Sequence, residues 1–591
     1  MLYRKVNYKF AGFENIYKVS MQIINDFNSS RMKANTAFYF KTNILKKIIV
    51  LSLLLSVTLF VQAQRVRKLP AEKPKLIVWL DVDQMRYEYL NRFNAYFNDG
   101  GFNRLIGEGT LCTNAHYNYI FNQPGVGEAT MITGANPETH GIVSEWWYNR
   151  LPNTESHCTS DEKYNTVGSD NDHGKRSPVA MSASTIGDEL KLSNELKSKI
   201  FSVSLEPSSS VIMGGHTADC AYWFDDESGN WITSSYYTDS LKTWVREFNA
   251  KKIQETYLQK EWNLLLSLED YKGCMPDKND YETGILTKNT FPYDLYDISN
   301  LKRRKPNYSV LKSTPYGNNF TKDFAISLIV NENLGKDDYT DMICIGFNSN
   351  EDIGLRFGPK SMEVEDIIVR LDREIEHFLR FLDEYIGKEN VLVILTSNHG
   401  VSDIPQFLSD MKIPADYFNA KSAIQLLKSY LDATYGKGKW IEYYYKQQVF
   451  LNRELIEDSN LDLAEVQQKA AAFLLQFSGI ANTITATTLQ TTNFTSGVFE
   501  QLQNSYNQER SGDVLINLKP GWIEKSNRCT DTNTGYIYCT HVPLIFYGWK
   551  IGHEKINEKL EMIDVAPTLS ALLGISYPNS CTGNPIKEIV E

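Results

Sequence analysis

The chain lacks the signatures of most enzyme classes. It has no glycine-rich P-loop, no dinucleotide-binding glycine fingerprint, no GxSxG elbow and no HExxH helix, so those nucleotide, serine-hydrolase and zinc-protease sites have no motif behind them. It also lacks a positive excess. With 61 Lys and Arg against 72 Asp and Glu the net charge is -11, the opposite of a nucleic-acid-binding surface, and no nucleic-acid partner is expected. There is no CxxC and therefore no thiolate zinc signature. No internal repeat, heptad array or low-complexity tract is visible.

Long apolar runs are scarce too, and the first is informative. Lys46 and Lys47 precede IIVLSLLLSVTLFV at residues 48–61, followed by Gln62, Ala63 and Gln64. A basic flank, a short apolar core and a small residue at the break describe a secretory signal peptide cut after Ala63. The run has 14 residues, short of the ~20 that a membrane helix needs. The expectation is a periplasmic or secreted protein with no stable membrane span after cleavage. Met32 is a plausible alternative start. All eight cysteines lie in the exported part, where disulfides are permitted; Cys529 and Cys539, flanking one loop, are the expected pair.

What is present reads as α/β. KLIVWLDVDQMR is an apolar run that ends in acidic residues, as a buried parallel strand does when it delivers side chains to a site at its carboxyl end. DMICIGFNSNEDIG and NVLVILTSNHGV repeat the design, and HVPLIFYGW inverts it, with the polar residue leading. Between them MEVEDIIVRLDREIEHFLRFLDEYIG has apolar residues at helical spacing. The expected organisation is an N-terminal extension and signal peptide (1–63), α/β core segments (64–145, 331–404, 511–591), an inserted cap (146–330) and a second, mostly helical insertion (405–510). Its core is a mainly parallel sheet with helices on both faces.

Nine blocks in order carry a family resemblance: DQMRYEYLNRF, TGANPETHGIV, STIGDELKL, GGHTADCAYWFD, FGPKSMEVEDIIVRLDREI, TSNHGVSDIP, RSGDVLINLKPGW, THVPLIFYG and MIDVAPTLSALLGI. Together they resemble the alkaline phosphatase superfamily, most closely its phosphate-irrepressible branch, which is similar to type I phosphodiesterases and nucleotide pyrophosphatases. The resemblance implies two zinc ions and a threonine nucleophile acting on phosphomonoesters. Carried over residue by residue, much of that inventory is missing. The Asp after the first strand is Asp83. The nucleophile position falls on Pro124, or on Asn122 if the PG of QPG is matched, and neither forms a phosphoenzyme. The Asp-x-x-x-His element becomes Glu351 and Leu355. The Asp-His pair becomes Asn398 and His399. The last histidine is His541. The phosphate-binding Asn becomes Glu145, and the Lys and Arg become Glu206 and Ser208, with no compensating cation evident in the sequence.

Each tempting residue also has a plain reading. Asp81 shares a strand face with Asp83 and is read as a strand-end hydrogen-bonding group rather than a ligand. Thr130 and Thr133 lie inside an expected helix, too far along to replace the nucleophile. His140 and His216 are read as packing or loop hydrogen-bonding groups. Trp146, Trp147, Tyr148, Tyr222 and Trp223 either line the cleft mouth or fill a core. The expectation is therefore a superfamily member without catalytic residues or a resident cofactor, binding an unknown ligand in its old cleft. The alternative is an active zinc-dependent phospho- or sulfoester hydrolase with a rebuilt site, zinc then occupying Asp83, Glu351, Asn398, His399 and His541 at least partly.

Overall fold

The computed structural model describes residues 72–286, 288–300 and 306–591. The expected signal peptide and its cleavage point lie outside them. Among the described residues no helix is long and apolar enough to cross a membrane.

An 11-stranded sheet forms the centre. Its strands are β1 (Leu76–Val82), β2 (Thr110–His116), β3 (Thr166–Val167), β4 (Ile200–Ser204), β5 (Cys220–Phe224), β6 (Trp231–Ser234), β7 (Asp341–Phe347), β8 (Val391–Thr396), β9 (His541–Gly548), β10 (Glu554–Ile556) and β11 (Leu560–Glu561). Their order is β10-β2-β9-β8-β1-β7-β4-β5-β6-β3, with β11 also on β2. β8, β1, β7, β4 and β5 are parallel neighbours. β9 is antiparallel to both β8 and β2. Strands β3 to β6 come from the stretch expected to be a cap, so IFSVS and WITS extend the core sheet instead of covering it.

β1 shows why the sheet is covered on both faces. Leu76, Val78, Leu80 and Val82 join one apolar cluster, and Ile77 and Trp79 join the other. With both faces dry, the strand carries an unbroken apolar run rather than an alternating one. Helix α1 (Pro124–Thr133) and helix α2 (Pro207–Gly214) supply residues to the Trp79 side. The long helix α4 (Met362–Tyr385) follows α3 (Ser349–Phe357) and packs on the Leu80 side.

The second insertion builds its own small core. Helices Ala420–Tyr435 and Leu463–Leu474 pack with a four-stranded sheet, and Val514–Leu518 completes that sheet from beyond residue 510. The Cys529–Cys539 pairing is not formed, and all eight cysteines are free thiols. Cys529 packs with Met275 and Ile404, its thiol 3.3 Å from the Leu355 carbonyl. Cys539 is buried in the short helix Ile537–Thr540, whose chain is tied to Gly400. The loop holds the two thiols in separate packing environments.

Candidate functional site

Alternation along β1 puts Asp81 and Asp83 on the Trp79 side of the sheet, one at the strand's end and one just past it. Asp81 lies opposite Gly346 of β7 and Thr396 of β8. Helix α1 crosses this edge and is buried along its whole length. Its sequence, PGVGEATMIT, permits that close approach: a Cβ at Gly127 would stand 2.0 Å from the Asn398 carbonyl oxygen. The neighbouring residue is Glu128, which is thereby lowered onto the two aspartates. Ligand oxygens of Asp81, Asp83 and Glu128 all lie within 4.8 Å of one another.

Two asparagines brace the trio. Asn398 donates its amide to Asp83 Oδ1 at 2.8 Å and to Glu128 Oε1 at 3.4 Å. Asn348, at the end of β7, donates to Asp83 Oδ2 and to Ser209 Oγ, both at 3.0 Å. Its carbonyl oxygen accepts from the Leu205 and Glu206 backbones at 2.8 and 3.3 Å. Burial pushes all three carboxyls well above the ordinary carboxylate range. Repulsion from neighbouring carboxylates adds to this at Asp83 and Glu128. At Asp81 the Asn398 backbone N–H lies near enough to oppose the rise but outside hydrogen-bonding geometry. Among the described residues no lysine or arginine is ion-paired with any of the three.

Around this cluster the cleft stays acidic. Glu351 on α3 has Oε1 3.8 Å from His399 Nε2. His399 Nδ1 is 2.7 Å from the Gly400 carbonyl, so the proton sits on Nδ1 and the lone pair on Nε2, which has no partner. Burial lowers the His399 pKa to about 4. Glu351 is raised by burial and then by Glu145, with Arg528 opposing. Glu145 accepts weakly from Ser208 Oγ at 3.4 Å and is raised by burial and then by Glu206. A compensating cation does exist. Lys312 Nζ lies 2.9 Å from Glu206 and 3.0 Å from Asp226; burial still holds the Glu206 carboxyl above its usual range, and the Lys312 charge opposes that rise. Glu206 and Lys312 line a cavity of about 180 Å³ with Arg176, Asp226, His173 and Trp223.

At the expected nucleophile position, Pro124 opens α1 and offers neither a hydroxyl nor an N–H. Asn122 is buried, its amide donating to the Thr534 carbonyl at 2.8 Å and toward those of Ile120 and Tyr119. Thr130 and Thr133 bond back to the carbonyls of Val126 and Ala129, and Thr130 also meets His140 at 3.1 Å. His216 pairs with Asp188 at 3.1 Å. Of the aromatic residues, Tyr222 is core, Trp223 lines the cavity, and Trp146 is 40% exposed.

The structure gathers Asp83, Asn398, His399 and Glu351 at one edge but gives His541 other work. Its Nε2 is 2.9 Å from the Thr113 carbonyl, and its ring is stacked between Tyr87 and His116 at centroid distances of 4.5 Å. Leu355 is aliphatic and buried. His399 is thus the one histidine left facing the cleft from the inherited set, and Asn398 already spends its amide on Asp83 and Glu128. The residues present do not fit the paired zinc centre that the resemblance implies, since each zinc needs about three protein ligands.

Three contributors went unread in the sequence. Glu128 sits inside a helix pattern with no mark of function, although its charge in an all-apolar and small-residue helix was a signal. Asn348 ends the second strand run. Lys312 arrives from a short helical segment, Tyr308–Ser313, distant in sequence from Glu206.

Comparisons with known proteins agree with this architecture. The type I phosphodiesterase / nucleotide pyrophosphatase family model matches residues 77–541. A Myroides odoratus protein named a calcium-transporting ATPase is 34% identical over 88% of this chain and 95% of its own length. Alkaline phosphatase PhoV of Synechococcus elongatus is 34% identical over 88% of this chain and 93% of its own. Alkaline phosphatase PafA of Elizabethkingia meningoseptica is 33% identical over 89% and 96%. The crystal structure of wild-type PafA superposes with a TM-score of 0.84 at 33% identity, covering 88% of this chain and 99% of that one. The chain belongs to the type I phosphodiesterase / nucleotide pyrophosphatase family within the alkaline phosphatase superfamily, as a relative of the PafA-type alkaline phosphatases.

Proposed function

We propose that this chain is an exported member of the superfamily that has lost phosphomonoester hydrolysis and acts by binding a ligand in the former active-site cleft. The observation that carries the reading is the start of α1, where Pro124 and an internally bonded Asn122 stand where an activated hydroxyl is required. Phosphoryl transfer also needs a cationic clamp on the transferring group. Glu145, Glu351 and Glu206 line the corresponding walls; of the nearby cations, Lys312 is committed to Glu206 and Asp226, Lys446 to Asp531, and Arg528 acts on Glu351 and Glu145. Such a cleft favours a cationic or neutral polar ligand over a phosphate dianion. Export rests on the signal-like segment ending near Ala63.

Calorimetric titration of the mature chain with inorganic phosphate tests the binding half of the reading. No saturable binding is expected up to millimolar phosphate, with or without added zinc. Saturable binding well below millimolar would contradict it. For export, N-terminal sequencing of the secreted protein should begin near Gln64; full-length protein held in the cytoplasm would contradict that part.

A further inference from the structure

The geometry points to a site for one hard divalent cation, of the magnesium, calcium or manganese class, held by Asp81, Asp83 and Glu128. It rests on the carboxylate cluster and on the unpartnered buried oxygens within it, and is independent of the reading of the cleft as non-catalytic.

Three carboxylates meet at 4.8 Å or less, each no more than 1% exposed. Taking even one carboxylate out of water costs several kcal/mol unless it is neutralised or paired. A cluster of three is therefore a place where positive charge is missing. The second observation is direct. Neither oxygen of Asp81 has a hydrogen-bond partner, and Glu128 Oε2 has none either. These are strong acceptors shut off from water, in a cluster whose offered oxygens lie within 4.8 Å of one another. Asn398 and Asn348 clamp both oxygens of Asp83, and Asn398 reaches Glu128 Oε1. Amide donors fixing carboxylates from behind are the support that ligating groups need.

The donor set names the class of ion. All the offered atoms are carboxylate oxygens, the environment that magnesium, calcium and manganese take and that zinc, with its preference for nitrogen and sulfur, takes less readily. His399 Nε2 is not part of the trio. A span of up to 4.8 Å between donors suits oxygen ligands at about 2.1–2.5 Å from a shared centre. The four free or half-used oxygens would leave the remaining positions of the shell to water. Asp81 and Glu128 are what differ from the inherited zinc inventory, of which only Asp83 is reused. The ion would join β1 to α1 and fix the helix whose start forms the cleft floor.

The test uses the whole mature chain, stripped with EDTA and then dialysed separately against magnesium, calcium, manganese or zinc chloride. Elemental analysis should find one magnesium, calcium or manganese ion per chain. At 100 times its dissociation constant the ion should raise the melting temperature by about 2–3 °C for a protein this size. Glu128→Gln and Asp81→Asn keep shape and remove charge. Both should abolish the metal-dependent rise, and both should melt no lower than the metal-free parent. If the wild-type chain holds no such ion and melts identically in all four salts, the cluster is instead neutralised by shared protons and the inference fails. Stoichiometric zinc in place of the hard cations would also overturn it. Turnover is not read in this experiment, so its failure leaves the functional proposal standing, and the converse holds.

Discussion

Asn398→Asp returns the anionic residue that the family resemblance implies just after β8, and the surroundings predict a heavy penalty for it. In the present structure the Asn398 amide donates to Asp83 at 2.8 Å and to Glu128 at 3.4 Å. Losing a hydrogen bond to a charged acceptor costs about 1.5–3 kcal/mol. The new carboxylate would also become the fourth in a buried cluster without a cationic side chain. A like charge at ~4 Å costs about 4 kcal/mol at an effective dielectric constant of 20. Proton uptake relieves part of that, so the expected destabilisation in EDTA at pH 7.5 is about 3–5 kcal/mol. With about 2.1 cal/mol/K of unfolding entropy per residue over roughly 520 residues, this lowers the melting temperature by about 3–5 °C. Differential scanning calorimetry of the two proteins measures it, and millimolar magnesium or calcium should recover much of the loss. A variant as stable as the parent in EDTA would refute the reasoning, because the amide would then not be bracing buried charge.

Other expectations follow from the same geometry. Gly127→Ala forces a Cβ against the Asn398 carbonyl and should cost about 1–3 kcal/mol by denaturant unfolding. Gly107→Ala, a helical position with open space around its Cβ, should be neutral or slightly stabilising. His140 is buried and accepts the Ile142 N–H on Nδ1, and burial lowers its pKa from 6.5 to about 3. The neutral ring is the folded form, so its contribution is complete above pH 6.5 and is lost as the pH falls toward 3. Each unit below 6.5 removes up to about 1.4 kcal/mol. Between pH 7 and 5 the parent should lose up to about 2 kcal/mol more than His140→Gln; parallel pH curves would contradict this. Finally, Glu351→Asp, Leu355→His and Asn398→Asp together should raise zinc affinity in a titration while phosphomonoester hydrolysis stays at background.

The core sheet was legible because β1, β7 and β8 are buried on both faces and announce themselves as apolar runs ending in polar residues. The edge where those runs end was legible for the same reason, and Asp83, Glu351, Asn398 and His399 do meet there. His541 misled because β9 is antiparallel. Its leading histidine does reach the same edge, but two strands away from β1, beside His116. The place of strands β3 to β6 in the core sheet was hidden by their shortness and by the long Tyr-, Asn- and Asp-rich connections between them. Glu128 was invisible for a different reason. Its meaning depends on how closely α1 approaches β8, a distance set by Gly127 that no spacing rule reports. Lys312 reaches Glu206 across a tertiary contact, so the missing charge looked uncompensated until both were placed.

Residues 122–124, Asn-Gln-Pro, offer no nucleophile for phosphoryl transfer. Hydrolysis of a chromogenic phosphomonoester by the purified mature chain, assayed across pH with and without added zinc, tests this most directly. The expected rate is that of the buffer, unchanged by zinc. Robust, zinc-dependent turnover by the unmodified protein would contradict the loss of hydrolysis and would mean that one of the internally bonded residues is the nucleophile.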